Sequence, residues 1–214
     1  LEFMPQVSLE QFVAAICSGQ QLGSFPTDTV PALASRPDRA ELIFEAKQRS
    51  LDKPLILMAA TVEDLWEYVQ GSATERQIWQ QTAERYLPGA LTLVLPASDR
   101  VPTAMNPKDP TTLGVRVPDH AIAQAILAQT GPLATTSANF SGQPALQTMA
   151  EIETQFPQVL TLPPTVLESL QPSISRDRPL QPSGVPSTVA RWTGENWEIL
   201  RQGAVSLTGY TLGG

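Results

Sequence analysis

One cysteine and one histidine, Cys17 and His120, are all that the 214 residues contain of either type. A single cysteine rules out an intrachain disulfide and points to a reducing compartment, the cytoplasm. One cysteine with one histidine also argues against a dedicated zinc site, which draws its ligands chiefly from those two residue types. Positive charge is scarce: 14 Lys and Arg stand against 21 Asp and Glu, a formal net charge of -7. That balance speaks against tight, nonspecific nucleic-acid binding, which neutralises many phosphates with basic side chains. No run approaches the roughly 18 apolar residues that suggest a membrane span, and the N-terminus carries no secretion signal. Neither GxxxxGK(S/T) nor GxGxxG occurs, so a nucleotide must be cradled in another way.

What remains is enough apolar residue for a core. A hydrophobic content of 42% with 16% charge describes a folded chain, and this length favours one domain. Leu9, Phe12, Val13 and Ile16 form an apolar stripe behind a Ser8/Gln11 capping box, which predicts a first helix ending near Gly19. A short strand then delivers Ser24 to Thr29 into a loop. Asp38 and Glu41 mark the next helix start, with Lys47 and Arg49 at or just past its last turn. Pro54 leads into a strand over Leu55 to Met58. Helices are expected from Thr61 to Val69 and from Thr74 to Tyr86, and a strand from Leu91 to Leu95 after the Pro88-Gly89 turn. The stretch from Thr103 to Thr111 reads as a loop.

Thr112 to Val117 alternates cleanly, which puts Thr112, Gly114 and Arg116 on one strand face. Asp119 is the expected cap of a helix closed by Gly131. Leu133 to Thr136 reads as a strand ending in the turn Ser137-Ala138-Asn139, and Thr148 with Glu151 caps another helix. Seven of the 20 prolines fall between Pro157 and Pro186, too many for a regular helix or central strand, so 157–186 reads as a long loop or lid. Two strands, Thr188 to Trp192 and Trp197 to Leu200, follow with a turn at Gly194. Interspersed helices and strands without a repeat predict an α+β domain with α/β-type layers.

Four separated segments carry groups suited to phosphates and carboxylates: Pro26 to Thr29, Lys47 to Arg49, Thr112 with Arg116, and Ser137 to Asn139. Each also has a plain reading. Lys47 and Arg49 suit a helix C-terminus through the dipole. Ser137 and Asn139 are common turn residues. Arg116 suits the solvated side of a strand, and Thr27 and Thr29 can bond their own loop. His120 reads as a surface residue at a helix start, and Trp66, Trp79, Trp192 and Trp197 as packing.

Taken in order, Ser24-Phe25-Pro26-Thr27-Asp28-Thr29-Val30, Ala46-Lys47-Gln48-Arg49 through Lys53-Pro54-Leu55, and Leu87-Pro88-Gly89-Ala90-Leu91-Thr92 resemble the YrdC-like threonylcarbamoyl-AMP synthase family. Gly114 to His120, Thr135 to Gly142, Pro186-Ser187-Thr188-Val189 and Ile199 to Gly203 continue the match. It runs from about Leu9 to Ala204, with Lys47-x-Arg49 and Ser137-x-Asn139 as the family's signature. Pro31 and Ala32 stand where the family commonly has Tyr-Gly, and Met58 where some relatives have histidine. The glycine-rich stretch usual before Ser187-Thr188-Val189 is missing.

The resemblance implies a twisted mixed β-sheet flanked by helices, a YrdC/RibB-like fold with a central concave site, over residues 4–205. Residues 1–3 ahead of Met4 then read as a remnant outside the fold, and 206–214 as a tail. It implies a nucleotidyltransferase that makes threonylcarbamoyl-AMP and pyrophosphate from L-threonine, bicarbonate and ATP. A separate complex passes the unit to an adenosine beside a tRNA anticodon. Matching positions imply Lys47, Arg49, Thr112, Asn139 and Arg201 for ATP, with Lys47 and Arg49 catalytic. Thr27, Arg116, Ser137 and Ser187 would hold threonine, Arg116 against its carboxylate. Mg²⁺ would ride on the ATP phosphates without a protein metal site, and direct tRNA binding would be weak or absent. The alternatives are an RNA- or nucleotide-binding protein of the same fold without turnover, a related sugar-phosphate enzyme, and an inactive paralogue.

Overall fold

Short apolar runs bounded by turns become eight strands of one mixed sheet in the computed structural model, which describes residues 5–171 and 182–207. They are β1 (Gly23–Phe25), β2 (Ala32–Ser35), β3 (Ile56–Met58), β4 (Leu91–Pro96), β5 (Thr112–Arg116), β6 (Leu133–Ser137), β7 (Thr188–Trp192) and β8 (Trp197–Arg201). The sheet order is β1-β2-β6-β3-β5-β4-β7-β8. β3 with β5 and β4 with β7 are parallel; the other neighbours are antiparallel. Six helices accompany them among the described residues: α1 (Leu9–Cys17), α2 (Glu41–Lys47), α3 (Ala73–Tyr86), α4 (Ala121–Thr130), α5 (Met149–Gln155) and α6 (Pro164–Ser169). None is long and apolar enough to cross a membrane.

Alternation across the strands sorts side chains onto two faces. Leu57, Leu93, Val115 and Ala190 belong to the larger core, which Ile43 and Phe44 of α2 and Trp79 and Ala83 of α3 complete. Phe25, Ala32, Ala34 and Met58 pack with Phe12 and Ile16 of α1 and Ile122 and Ile126 of α4. These two helices leave one row open. Thr135, Ile56, Gly114 and Val94 are paired across four strands, and all four line a cavity.

Local chemistry explains most element ends. Capping boxes start α1 at Ser8 with Gln11, α3 at Ser72 with Glu75 and α5 at Thr148 with Glu151. Trp79, Trp192 and Trp197 make edge-on ring contacts at 6.3 and 5.2 Å, and Trp192 Nε1 donates to Glu75. They are core, in line with their reading as packing residues.

Several expectations are corrected. Asp38 does not cap α2: it pairs with Arg36 at 2.5 Å, a 3₁₀ turn over Pro37–Arg39 leads in, and Ala40 stands at the cap. Asp119 does not cap α4; His120 holds that position without a side-chain bond. The helix expected from Thr61 is a 3₁₀ segment over Glu63–Tyr68, its start tied up by Thr61–Asp64 bonds. A 3₁₀ turn, Thr103–Met105, interrupts the expected loop. β2 was not anticipated at all. The proline-rich stretch contains α6, because a proline at the first helical position lacks only a donor that would go unused there. Within the lid assignment, 172–181 lies outside the described residues, as do the 1–3 remnant and 208–214 of the tail.

Ser72→Ala removes one half of the α3 capping box while touching nothing in the cavity. Urea unfolding should show a loss of about 1 kcal/mol, with an unchanged dependence on denaturant concentration.

Candidate functional site

The open row floors a cavity of about 560 Å³. Its flatness depends on Gly114, where an added Cβ would stand 3.3 Å from Thr92 Cγ2 and 3.5 Å from Ile56 Cγ1. Around this apolar floor stand four cations, Arg49, Lys53, Arg116 and Arg201, and a single carboxylate, Asp52. Such an excess of positive charge over an apolar base suits a ligand with a flat ring and several negative oxygens.

Arg116 is the most constrained of the four. It is 3% exposed, yet its Nη2 pairs with Asp28 at 2.6 Å, its Nη1 donates to Thr29 Oγ1 at 3.0 Å, and its Nε donates to the Gly89 carbonyl at 3.0 Å. Burial pushes its pKa down, Asp28 pushes it back up, and neighbouring Arg201 lowers it; guanidinium remains charged regardless. With five N–H groups and three engaged, two are left for a ligand. The strand-surface reading of Arg116 is therefore corrected.

Lys47 is also fully buried. Its ammonium donates to the Ser137 carbonyl and, at 3.2 Å, to Asn139 Oδ1. Ser137 Oγ donates to the same Oδ1 at 2.6 Å, and Asn139 Nδ2 donates to the Phe140 and Gln143 carbonyls. The lysine thus ties the end of α2 to the turn after β6. Burial, reinforced by Arg49 and Lys53, lowers its pKa to about 7. Gln48 turns the chain with a left-handed φ of 49°. Arg49 then folds back to donate to the Lys53 and Pro54 carbonyls.

On the far side, Ser187 Oγ and Thr92 Oγ1 lie 2.9 Å apart, and Arg201 donates to the Ser187 carbonyl at 2.8 Å. Thr112 Oγ1 accepts from Asn106 Nδ2 at 3.1 Å. Burial lowers the pKa of both Arg49 and Arg201.

Seven of the nine expected site residues line this one cavity: Arg49, Thr112, Arg116, Ser137, Asn139, Ser187 and Arg201. Thr27 does not. Its hydroxyl donates to the Val30 carbonyl at 2.7 Å within its own loop, and Thr29 takes the wall position. Lys47 does not line it either, standing behind Ser137 and Asn139. His120, read as a surface residue, is 3% exposed, and its Nδ1 finds no partner among the described residues. Burial lowers its pKa while Asp28 and Asp119 oppose the shift. Asp28, Thr29, Thr92, Asn106 and Asp52 went unassigned in the sequence. Asp28 and Thr29 carried a signal there as polar neighbours of Thr27, and Thr92 closes one of the quoted motifs. Ala32 and Met58, the departures noted above, both line the cavity.

Among the described residues no three His, Cys, Asp or Glu side chains cluster as a metal site. Asp52 is the one carboxylate of the cavity lining, so a divalent ion there would take its ligands chiefly from phosphate oxygens.

Two outcomes follow. Asp28→Ala strands a buried guanidinium, so urea unfolding should show a loss of about 3 kcal/mol, with Asp28→Asn losing less. For Lys47, the unfolded chain holds a proton that the folded chain has released between pH of about 7 and about 10.5. Folding stability contributed by this group therefore rises with pH across that window. Unfolding titrations of wild type and Lys47→Met should differ by an amount that shifts in wild type's favour from pH 7 upward; a pH-independent difference contradicts this.

Comparison with known proteins agrees with the fold. The Bacillus subtilis (strain 168) protein named Threonylcarbamoyl-AMP synthase is 38% identical over 139 residues, 62% of this chain and 38% of its own length. Its namesake from Vibrio campbellii is 36% identical over 152 residues, 69% of this chain and 80% of its own. The crystal structure of P. abyssi Sua5 complexed with L-threonine superposes with a TM-score of 0.73 at 29% identity, covering 92% of this chain and 55% of that one. The chain thus spans little more than a third of the Bacillus relative and about half of the P. abyssi protein. With residues 15–203 matching the model described as "Telomere recombination" and named for Sua5, YciO and YrdC, the chain belongs to the Sua5/YciO/YrdC family.

Proposed function

We propose that this chain is an L-threonylcarbamoyladenylate synthase. One observation carries the reading: seven residues from five separate motifs converge on a single cation-rich cavity, in a chain whose relatives are named for that activity.

In this reading the threonine amine attacks the carbon of bicarbonate, and water leaves. The resulting carbamate oxygen attacks the α-phosphate of ATP, and pyrophosphate departs. Negative charge builds on phosphate oxygens throughout, so fixed donors contribute more than any one proton-transfer group. Arg49 and Arg201 face the triphosphate, with Thr112 as a hydroxyl donor. Lys47 would reach it by exchanging its Asn139 bond, which frees Asn139 Oδ1 to accept from the nucleotide while Nδ2 stays on the Phe140 and Gln143 carbonyls. Arg116 offers its two remaining N–H groups to the threonine carboxylate, in the manner of a guanidinium fork. Ser137 and Ser187 flank it, and Thr27 acts by shaping the loop that carries Thr29. Phosphate oxygens would carry Mg²⁺, with Asp52 the one carboxylate on the wall, and the ion would neutralise their charge.

The product then passes to a separate tRNA-modifying transferase complex in the cytoplasm. Net charge of -7 leaves direct tRNA binding weak in this reading.

Incubation with ATP, L-threonine and bicarbonate should yield pyrophosphate and a labile adenylate, and omitting any one substrate should abolish both. Arg49→Ala and Lys47→Ala should each lower turnover by about a hundredfold or more, the usual loss for one donor to developing charge. Wild-type rates in both variants, or salt-sensitive RNA binding without product, would defeat the reading.

A further inference from the structure

β7 and β8 are paired regularly from Trp192↔Trp197 through Arg191↔Glu198 to Ala190↔Ile199, but the next pair is Val189↔Arg201. Leu200 is therefore an extra residue with no strand partner, and it is 48% exposed. The consequence is directional. Val189 lines the cavity, whereas Thr188 and Ala190 on either side of it do not. Without the extra residue Leu200 would face Val189, and Arg201 would face Thr188 on the opposite side of the sheet, because a one-residue slip exchanges the faces. The bulge turns Arg201 toward the cavity, a use to which bulges beside sites are often put.

Immediately beyond, the chain crosses back over the segment it has just served. At Gly203 an added Cβ would lie 2.5 Å from both Ser187 C and Thr188 N, and still closer to the Pro186 carbonyl. All three are backbone atoms, so no side-chain rearrangement makes room. The crossing is held by Gly203 N and Val205 N donating to Thr188 Oγ1 at 3.0 and 3.2 Å and by Ala204 N donating to the Pro186 carbonyl at 3.1 Å. Thr188 Oγ1 in turn donates to the Val205 carbonyl. Arg201 completes the loop through its bonds to Ser187.

We propose that residues 200–205 form a clasp that aims Arg201 into the cavity and holds Ser187 at its wall, with Gly203 and Thr188 as positioning residues for the reaction. Neither lines the cavity. The inference rests on the reading of this cavity as the ATP and threonine site.

The test uses the full chain. Thr188→Val removes the hydroxyl at the centre of the clasp but keeps the shape of a buried strand residue. Thr188→Ser restores that hydroxyl, and Gly203→Ala obstructs the crossing. Gly194→Ala, at φ 98° in the far turn of the same hairpin, controls for simple loss of hairpin stability. Thr188→Val and Gly203→Ala should raise KM for both ATP and threonine roughly tenfold, the order expected from losing one or two ordinary hydrogen bonds. Their kcat should change much less. Thr188→Ser should return both KM values to wild type, and Gly194→Ala should leave them there while lowering stability.

Amide hydrogen exchange at 203–205 reads the clasp independently of turnover: protected in wild type and Thr188→Ser, fast in Thr188→Val. Fast exchange in wild type overturns the clasp. So do unchanged KM values in a folded Thr188→Val whose 203–205 amides have opened. Should Gly203→Ala fail to fold, the valine and serine pair decides alone. A wild-type chain that binds neither ATP nor threonine would sink the functional reading separately, while exchange still reports on the clasp.

Discussion

A guanidinium withdrawn from water, held by acceptors on two separate segments, constrains everything around the cavity. Arg116 stands at the end of β5 and reaches Asp28 and Thr29 on the loop after β1, and the Gly89 carbonyl ahead of β4. Desolvating such a charge is costly unless it is paired and hydrogen-bonded. The three acceptors meet that cost only when their segments hold these positions. The loop carrying Thr27 and Thr29 and the turn at Gly89 are thereby fixed relative to the sheet, and with them one end of the cavity.

A second buried cation repeats the principle. Lys47 lies behind the Ser137–Asn139 turn, so α2 and the end of β6 cannot shift independently. Burying several positive groups near one another is electrostatically unfavourable in the empty cavity; Arg49 and Lys53 both depress the Lys47 pKa, and Arg201 depresses that of Arg116. On the proposed function, a polyanionic ligand would relieve that repulsion, and the groups that weaken the fold would be those that stabilise charge developing on phosphate.

Much of this was legible in the sequence. Capping boxes gave the starts of α1 and α5, and alternation put Thr112, Gly114 and Arg116 on one face. The misses have physical causes. β2 is four residues of small and apolar type after Pro31, too short for a period to register. Asp38 and Asp119 carry the right side chain for a cap but are outcompeted, Asp38 by its bond to Arg36. At Thr61 and Asp64, local side-chain bonds resemble a helix start although the segment tightens into a 3₁₀ turn. What one-dimensional reading cannot supply is pairing at a distance. Nothing adjacent to Arg116 announces Asp28 as its counter-ion, and nothing near Lys47 indicates that it faces Ser137 and Asn139 rather than solvent. The motif order pointed to one pocket, but which residues form its surface and which stand behind it is a property of the folded chain.

The central claim is that this one hollow receives nucleotide and amino acid together. A crystal structure of the protein grown with L-threonine and a nonhydrolysable ATP analogue tests it most directly. The account predicts both ligands over the Gly114 floor, the threonine carboxylate at Arg116 and the phosphates between Arg49 and Arg201, with the Lys47–Asn139 bond exchanged. Ligands bound elsewhere, or a threonine carboxylate turned away from Arg116, would contradict it.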